Sequence, residues 1–370
     1  MKHGTLANPV RLAQLVDDCT DLFPRVMSAS EYLPPPSSFD EITLASIEAA
    51  REIIQKRLPL PTPTIRWPLL EENVSGAELW VKHENHLPTG AFKVRGGVRY
   101  FDWLKNAHPE VSGVIAATRG NHGQSVALAA KSCGLQVVIV VPEGNSVDKN
   151  RAMMGYGAEL MEHGADFNEA LAFAADFAER EGLHMVPSFD WALVEGVASY
   201  GLELFRQAPD LDRLYVPIGL GSGICGCLAA RRVLGLERRT EIVGVVAAAA
   251  PCYQLSFDAG RAVTTEGVSL TIADGVACRV PNEEALTVIR DGVSRILSLS
   301  EGEIAMSMSR IVRDVHQIAE GAGALSIAAA IHDAESDPDW FRGKRIGAVL
   351  TGGNVDGDVL RRVIDHQLSL

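Results

Sequence analysis

Long apolar runs are missing from this chain of 370 residues. None reaches the roughly 18 residues that suggest a membrane-spanning helix, and charges interrupt the N-terminus MKHGTLANPVRLAQLVDDCTDLFPR where a secretory signal needs an apolar core. No membrane partner is expected, and the cytoplasm is the default location. Basic residues are also short, with 34 Lys plus Arg against 47 Asp plus Glu and a formal net charge of -13. A nucleic-acid or anionic-membrane surface normally needs a basic stripe or patch, so neither is expected as a partner. Six cysteines, Cys19, Cys133, Cys225, Cys227, Cys252 and Cys278, are too few and too scattered for a disulfide scaffold. Cys225 and Cys227 are close, but as C-x-C within an apolar run, which reads as buried helix. The ten histidines contain no H-E-x-x-H, and His83 with His86 lacks a third ligand nearby, so no metal site is expected. The G-x-S-x-G elbow of many hydrolases is absent too, because Ser222 lies in G-S-G.

What the chain has is apolar material in short pieces. With 47% hydrophobic residues it can build one large α/β unit or two lobes. Strand-like runs, ELWVK, GVIAA, QVVIVV, RLYVPI, EIVGVVA and RIGAVLT, alternate with helical stretches such as HGQSVALAAKSCG and FNEALAFAADFAEREG. Continuous apolar strands between helices imply a buried, largely parallel sheet. Residues 1–40 read as an appended segment ending in YLPPPSSFD, whose prolines and serines place a helix cap before EITLASIEAAREIIQ.

Ligands of open α/β sheets sit at the carboxyl ends of strands. Four loops there draw attention. The first ends in TGAFKVRGG, where Lys93 lies between Phe92 and Val94. Apolar neighbours on both sides favour a desolvated, nucleophilic amine, although an ordinary helix-start lysine fits this stretch as well. The second, TRGNHG after GVIAA, places Asn121 and free backbone N–H groups at a helix start, which suits a carboxylate or phenolate. In the third, GLGSG, Gly219, Gly221, Ser222 and Gly223 run into a helix and suit a phosphate. Its G-x-G-x-x-G spacing invites a dinucleotide, but the next strand carries its only acid, Glu241, at its start rather than its end. The fourth, TGGN from Thr351, would let a flat ligand lie at the strand end with a hydroxyl beside it.

Together and in this order the loops resemble the fold-type II pyridoxal-phosphate (PLP) enzymes, most closely the threonine/serine dehydratase and serine racemase group. The resemblance runs from about Pro61 to Asp356 and rests on PTPT, GAFKVRGG, GNHGQSVA, PIGLGSGICG, IADGVA, AEGAGALSIAAA and LTGGNVDG. It implies the tryptophan synthase β-like α/β fold, with two lobes that each hold a twisted, mostly parallel sheet flanked by helices. Residues 41–105 plus 195–370 would form the large cofactor-binding lobe, and 106–194 a small mobile one. Lys93 would carry the cofactor as a Schiff base and later take the substrate Cα proton. Phe92 would pack beside the ring, Asn121 would bond its phenolic oxygen, and Gly219, Leu220, Gly221, Ser222 and Gly223 would hold the phosphate. Glu320 would lie near the ring and Thr351 opposite its nitrogen. Thr118, Arg119, Gly120, Asn121 and His122 would receive the substrate.

The activity implied is dehydration and deamination of a small 3-hydroxy amino acid, such as threonine or serine, to a 2-oxo acid and ammonia. A homodimer is implied as well. A neutral hydroxyl at the ring nitrogen favours prompt loss of a β-leaving group over a long-lived carbanion. Three features depart from the family. Arg119 stands where relatives have Ser or Ala; in racemases that serine is the second-face base, and an arginine does not readily give up its proton. It suits a carboxylate instead, in a substrate or on a neighbouring loop. The stretch VGVVAAAAPCYQ carries none of the acidic residues that bind a cation in relatives, and the chain ends at Leu370 soon after GGNVDG, so isoleucine-type feedback control is not expected.

Overall fold

The computed structural model describes residues 34–267 and 270–365. The appended segment expected over 1–40, and Cys19 with it, therefore lies mostly outside the described residues.

Two parallel sheets organise the chain. One has six strands in the order β1-β2-β10-β7-β8-β9, the other four in the order β5-β4-β3-β6. The larger is built from β1 (Thr64–Arg66), β2 (Glu78–His83), β7 (Arg213–Pro217), β8 (Glu241–Ala247), β9 (Arg295–Leu299) and β10 (Arg345–Leu350). The smaller contains β3 (Gly113–Ala117), β4 (Gln136–Val141), β5 (Glu159–Glu162) and β6 (His184–Met185). All neighbours pair in parallel except β1, which runs antiparallel to β2.

Side-chain alternation explains why the inner strands are apolar throughout. In β8, Ile242 and Val246 join one hydrophobic cluster while Val243, Val245 and Ala247 join the cluster on the opposite face. In β4, Val137, Ile139 and Val141 face one way and Val138 and Val140 the other. A strand covered by helices on both faces has no polar side to present, so its pattern reads as a continuous run. The helices Lys93–Ala107, Trp191–Gln207 and Ser222–Val233 pack in sequence against one another.

One boundary differs from the sequence reading. The cap of the first long helix, Leu44–Gln55, is Thr43 in a capping box with Ser46, not a residue of YLPPPSSFD. Phe39–Glu41 instead forms a short 3₁₀ turn, with Ser37 bonded to Glu41. Ser37 is thus occupied locally, and Thr43 supplies the side-chain oxygen that accepts the Ser46 N–H.

Candidate active site

The four loops meet. Lys93 is the first residue of helix Lys93–Ala107. The Phe92 N–H donates to the Thr351 carbonyl (3.0 Å), and an isolated antiparallel bridge joins Ala91 to Gly352. On the other side, the Ser125 hydroxyl donates to the Lys93 carbonyl (2.8 Å). The Lys93 amine donates to Ser222 Oγ at 2.9 Å. Part of the residue is exposed, but the amine is enclosed by protein, and this burial pulls its pKa down to about 8.

Ser222 opens helix Ser222–Val233, whose N-terminus has no side-chain cap. Unsatisfied first-turn N–H groups carrying the positive end of the helix dipole suit an anion. Gly221 has φ +106°, a left-handed conformation that disfavours any side chain, and a Cβ there would come within 2.5 Å of Ala285. Tyr253 holds the loop from behind by donating to the Leu220 carbonyl at 2.9 Å. The Phe92 ring lies against Gly223, 3.5 Å from where a Cβ would stand.

Helix Asn121–Ser132 likewise starts without a side-chain cap. Asn121 Nδ2 donates to Glu320 Oε1 (2.6 Å), and its Oδ1 accepts from Asn354 Nδ2 (2.8 Å). Asn354 also donates to the Thr89 carbonyl at 2.7 Å. Glu320 is buried, and this pushes its carboxyl up to about 7, with Lys149 opposing and Asp274 adding. The Glu320 N–H meets the Gly352 carbonyl (3.1 Å), and a Cβ on Gly352 would come within 2.4 Å of Glu320 Oε1. Thr351 is buried, and its hydroxyl donates weakly to the Ala322 carbonyl at 3.4 Å.

Thr118 is buried and accepts from the Gly120 N–H at 3.1 Å, which shapes the turn. His122 is held neutral, its pKa pulled down to about 3 by burial with Lys93 adding, and its Nε2 has no partner among the described residues. Arg119 is exposed. The site also contains residues that sequence reasoning did not single out, Lys149, Asp274, Tyr253 and Ser125, beside Asn354 of the TGGN loop. Asp274 sits in the IADGVA motif, so a signal existed for it. Lys149, in a polar helix start, offered none.

A buried amine and an uncapped helix start behind a glycine turn, with the Asn121–Glu320 pair close by, suit an aldehyde-bearing phosphate. The family model described as "Pyridoxal-phosphate dependent enzyme" matches residues 56–352, and the chain belongs to this family. Among named relatives, L-threonine dehydratase catabolic TdcB of Staphylococcus aureus (strain N315) is 34% identical over 330 residues, 89% of this chain and 94% of that one. Among solved structures, maize serine racemase superposes with a TM-score of 0.79 at 26% identity, covering 90% of this chain and 98% of that one. The threonine deaminase of T.th. superposes at 0.77 with 29% identity, covering 85% and 99%. The α/β architecture of fold-type II read from the sequence is thus the observed one, and the cofactor of the family is pyridoxal phosphate.

Proposed function

We propose that this chain is an ammonia-lyase that dehydrates and deaminates a small 3-hydroxy amino acid, with threonine and serine as first candidates, to a 2-oxo acid and ammonia. The names of the relatives support the reaction class. The observation that carries the reading is the Lys93 amine, buried, lowered to about 8, and bonded to the first residue of an uncapped helix.

The residues present fit the cofactor. Gly219 to Gly223 and the helix start would hold its phosphate, Asn121 its phenolic oxygen, Phe92 one side of its ring, Glu320 a place near the ring, and Thr351 the ring nitrogen. When bound, the cofactor would take up the electrons left when the substrate loses its Cα proton. Lys93 accepts that proton, which a buried amine with a pKa near neutrality can do and an exposed one cannot. Thr118, Gly120, Asn121 and His122 form a turn and helix start that receive the substrate carboxylate. A neutral His122 donates a hydrogen bond there without adding charge. Residues 106–194 act as a mobile lobe whose closure over residues 41–105 and 195–370 excludes water. The enzyme works as a homodimer, as the family resemblance implies, and in the cytoplasm, the default location read from the sequence; a mass by light scattering checks the first.

Arg119 favours a second reading of the substrate, one with an added carboxylate such as 3-hydroxyaspartate. Its side chain is exposed and contributes, after the Glu169 and Asn168 N–H groups and Arg279, to holding the Asp166 carboxyl below its ordinary range. An arginine in this position argues against two-base racemisation. The deciding experiment measures ammonia and 2-oxo acid release by the PLP-loaded protein from L-threonine, L-serine and the diastereomers of 3-hydroxyaspartate, with chelator throughout. Turnover of any one supports the lyase, and preference for the dicarboxylate assigns Arg119 to the substrate. No turnover, or D-isomer forming faster than oxo acid, would overturn it.

A further inference from the structure

A buried cation reaches from one sheet unit to the other. Lys149 belongs to helix Val147–Gly155, which follows β4 of the four-stranded sheet. Its amine bonds the Asp274 carboxylate and stands 3.7 Å from Glu320 Oε2, both in the part of the chain that carries the six-stranded sheet. The side chain is only 7% exposed. Its stem crosses Gly120, where a Cβ would come within 2.8 Å of Lys149 Cδ, so the turn before Asn121 needs glycine to let the lysine through. The same helix start makes further contacts in the same direction. Ser146, whose hydroxyl caps the helix by accepting the Lys149 N–H at 3.1 Å, also bonds Asp356, and the Gly357 N–H reaches Asp148 at 3.4 Å.

A buried ammonium is retained only when carboxylates repay its desolvation. Here burial works against the Lys149 charge, but Asp274 and Glu320 outweigh it, with Asp356 adding. The charged groups that bear on Glu320 are Lys149 and Asp274. Glu320 Oε2 has no hydrogen-bond partner among the described residues, so the nearby lysine charge is what favours its anion at that oxygen.

The charge of Glu320 matters for Asn121. An anionic Glu320 accepts only, which turns Asn121 Nδ2 towards it and leaves Oδ1 for Asn354. A protonated Glu320 could donate to Oδ1 instead, and a turned amide would set its NH₂ against the NH₂ of Asn354. We propose that Lys149 is a positioning residue: by bridging Asp274 and Glu320 it latches the two sheet units together and favours the Glu320 anion over its protonated form, so that Asn121 presents one amide orientation to the cofactor. The latch stands on the contacts above, and the effect on Asn121 rests on the cofactor reading proposed for this site.

The test compares wild type with Lys149→Met and Asp274→Asn by two measurements. The first is hydrogen exchange of the cofactor-free proteins. Both variants are expected to exchange at least about tenfold faster over residues 145–155, with β7 and β8 unchanged, because one buried charged contact is worth more than about 1.4 kcal/mol. The second is the pH midpoint of the bound-cofactor absorbance between about pH 6 and 9. Removing the lysine charge should move the midpoint up by about one unit, and removing the aspartate charge should move it down, since a neighbouring charge shifts a carboxyl in opposite directions according to sign. A purely structural role would not produce opposite signs. Unchanged exchange over 145–155 would overturn the latch, and midpoints that stay put or move together would overturn the link to Glu320. If Lys149→Met fails to fold, Asp274→Asn decides both from the other side. Failure of the wild type to bind PLP would overturn the cofactor reading and the Asn121 link with it, while the exchange measurement still decides the latch.

Discussion

The amine of Lys93 and the hydroxyl of Ser222 lie 2.9 Å apart, and each belongs to the first residue of a helix. One helix thus presents a nucleophile where the other presents unsatisfied N–H groups.

The pKa of about 8 for Lys93 sets the pH dependence of its first reaction. Only the neutral amine attacks an aldehyde. Capture of PLP by the cofactor-free protein should therefore speed up as pH rises and level off above about 8, rather than climbing towards the ordinary lysine range. Stopped-flow absorbance reads the midpoint. After borohydride reduction, mass spectrometry should map the pyridoxyl group to Lys93 in the wild type and find no labelled lysine in Lys93→Ala.

Replacing Asn121 with Ala removes the amide between Glu320 and Asn354. Loss of one aimed donor at a reacting group costs roughly a hundredfold in turnover. The absorbance maximum of the bound cofactor should shift as well. An unchanged spectrum together with an unchanged rate would remove Asn121 from the site.

Gly221→Ala places a methyl in a left-handed backbone position and against Ala285. It should destabilise the protein by about 1–3 kcal/mol and weaken PLP binding, because the backbone that approaches the phosphate must move. Urea unfolding and a fluorescence titration with PLP separate the two effects.

Just beyond Lys93 the same helix is anchored by charge. Arg95 is fully buried and bonds Glu84 (2.7 Å) and Glu203 (2.8 Å), while Lys82 reaches Glu203 at 2.8 Å. Arg95→Met would strand the buried Glu84 carboxylate and leave Glu203 with Lys82 as its close cation, at a cost of roughly 3–5 kcal/mol. Glu203 has burial raising its pKa, but Arg95 and Lys82 outweigh this and hold it below the ordinary value. Its contribution to stability is therefore present above the unfolded carboxyl pKa and is lost as pH falls through the lower folded one. The acid limb of the urea midpoint against pH should be shallower in a Glu203→Gln protein than in wild type.

Which strands were legible in the sequence follows from their place in the sheets. The six apolar runs correspond to β2, β3, β4, β7, β8 and β10, and every one of these is an inner strand. The strands that escaped notice, β1, β5, β6 and β9, are the four edges. Edge strands are partly exposed, as in Thr64–Arg66 and Glu159–Glu162, or only two residues long, as in His184–Met185. They lack the continuous run that burial on both faces imposes. The cap at Thr43 was missed for a similar local reason: several side-chain oxygens competed, and tertiary placement chose among them.

At the site, composition and spacing alone pointed to a desolvated lysine, an anion-binding helix start and a phosphate-type glycine turn, because these depend on chain neighbours and on backbone geometry that residue type dictates. The order of the loops then carried the resemblance to PLP enzymes. Only the tertiary structure decided that the Lys93 amine points at Ser222, that Glu320 sits under Asn121, and that Lys149 reaches across to both Asp274 and Glu320. Such pairings join residues more than a hundred positions apart. Their strength comes from water excluded on both sides, a property of the packed fold that no local stretch of sequence carries.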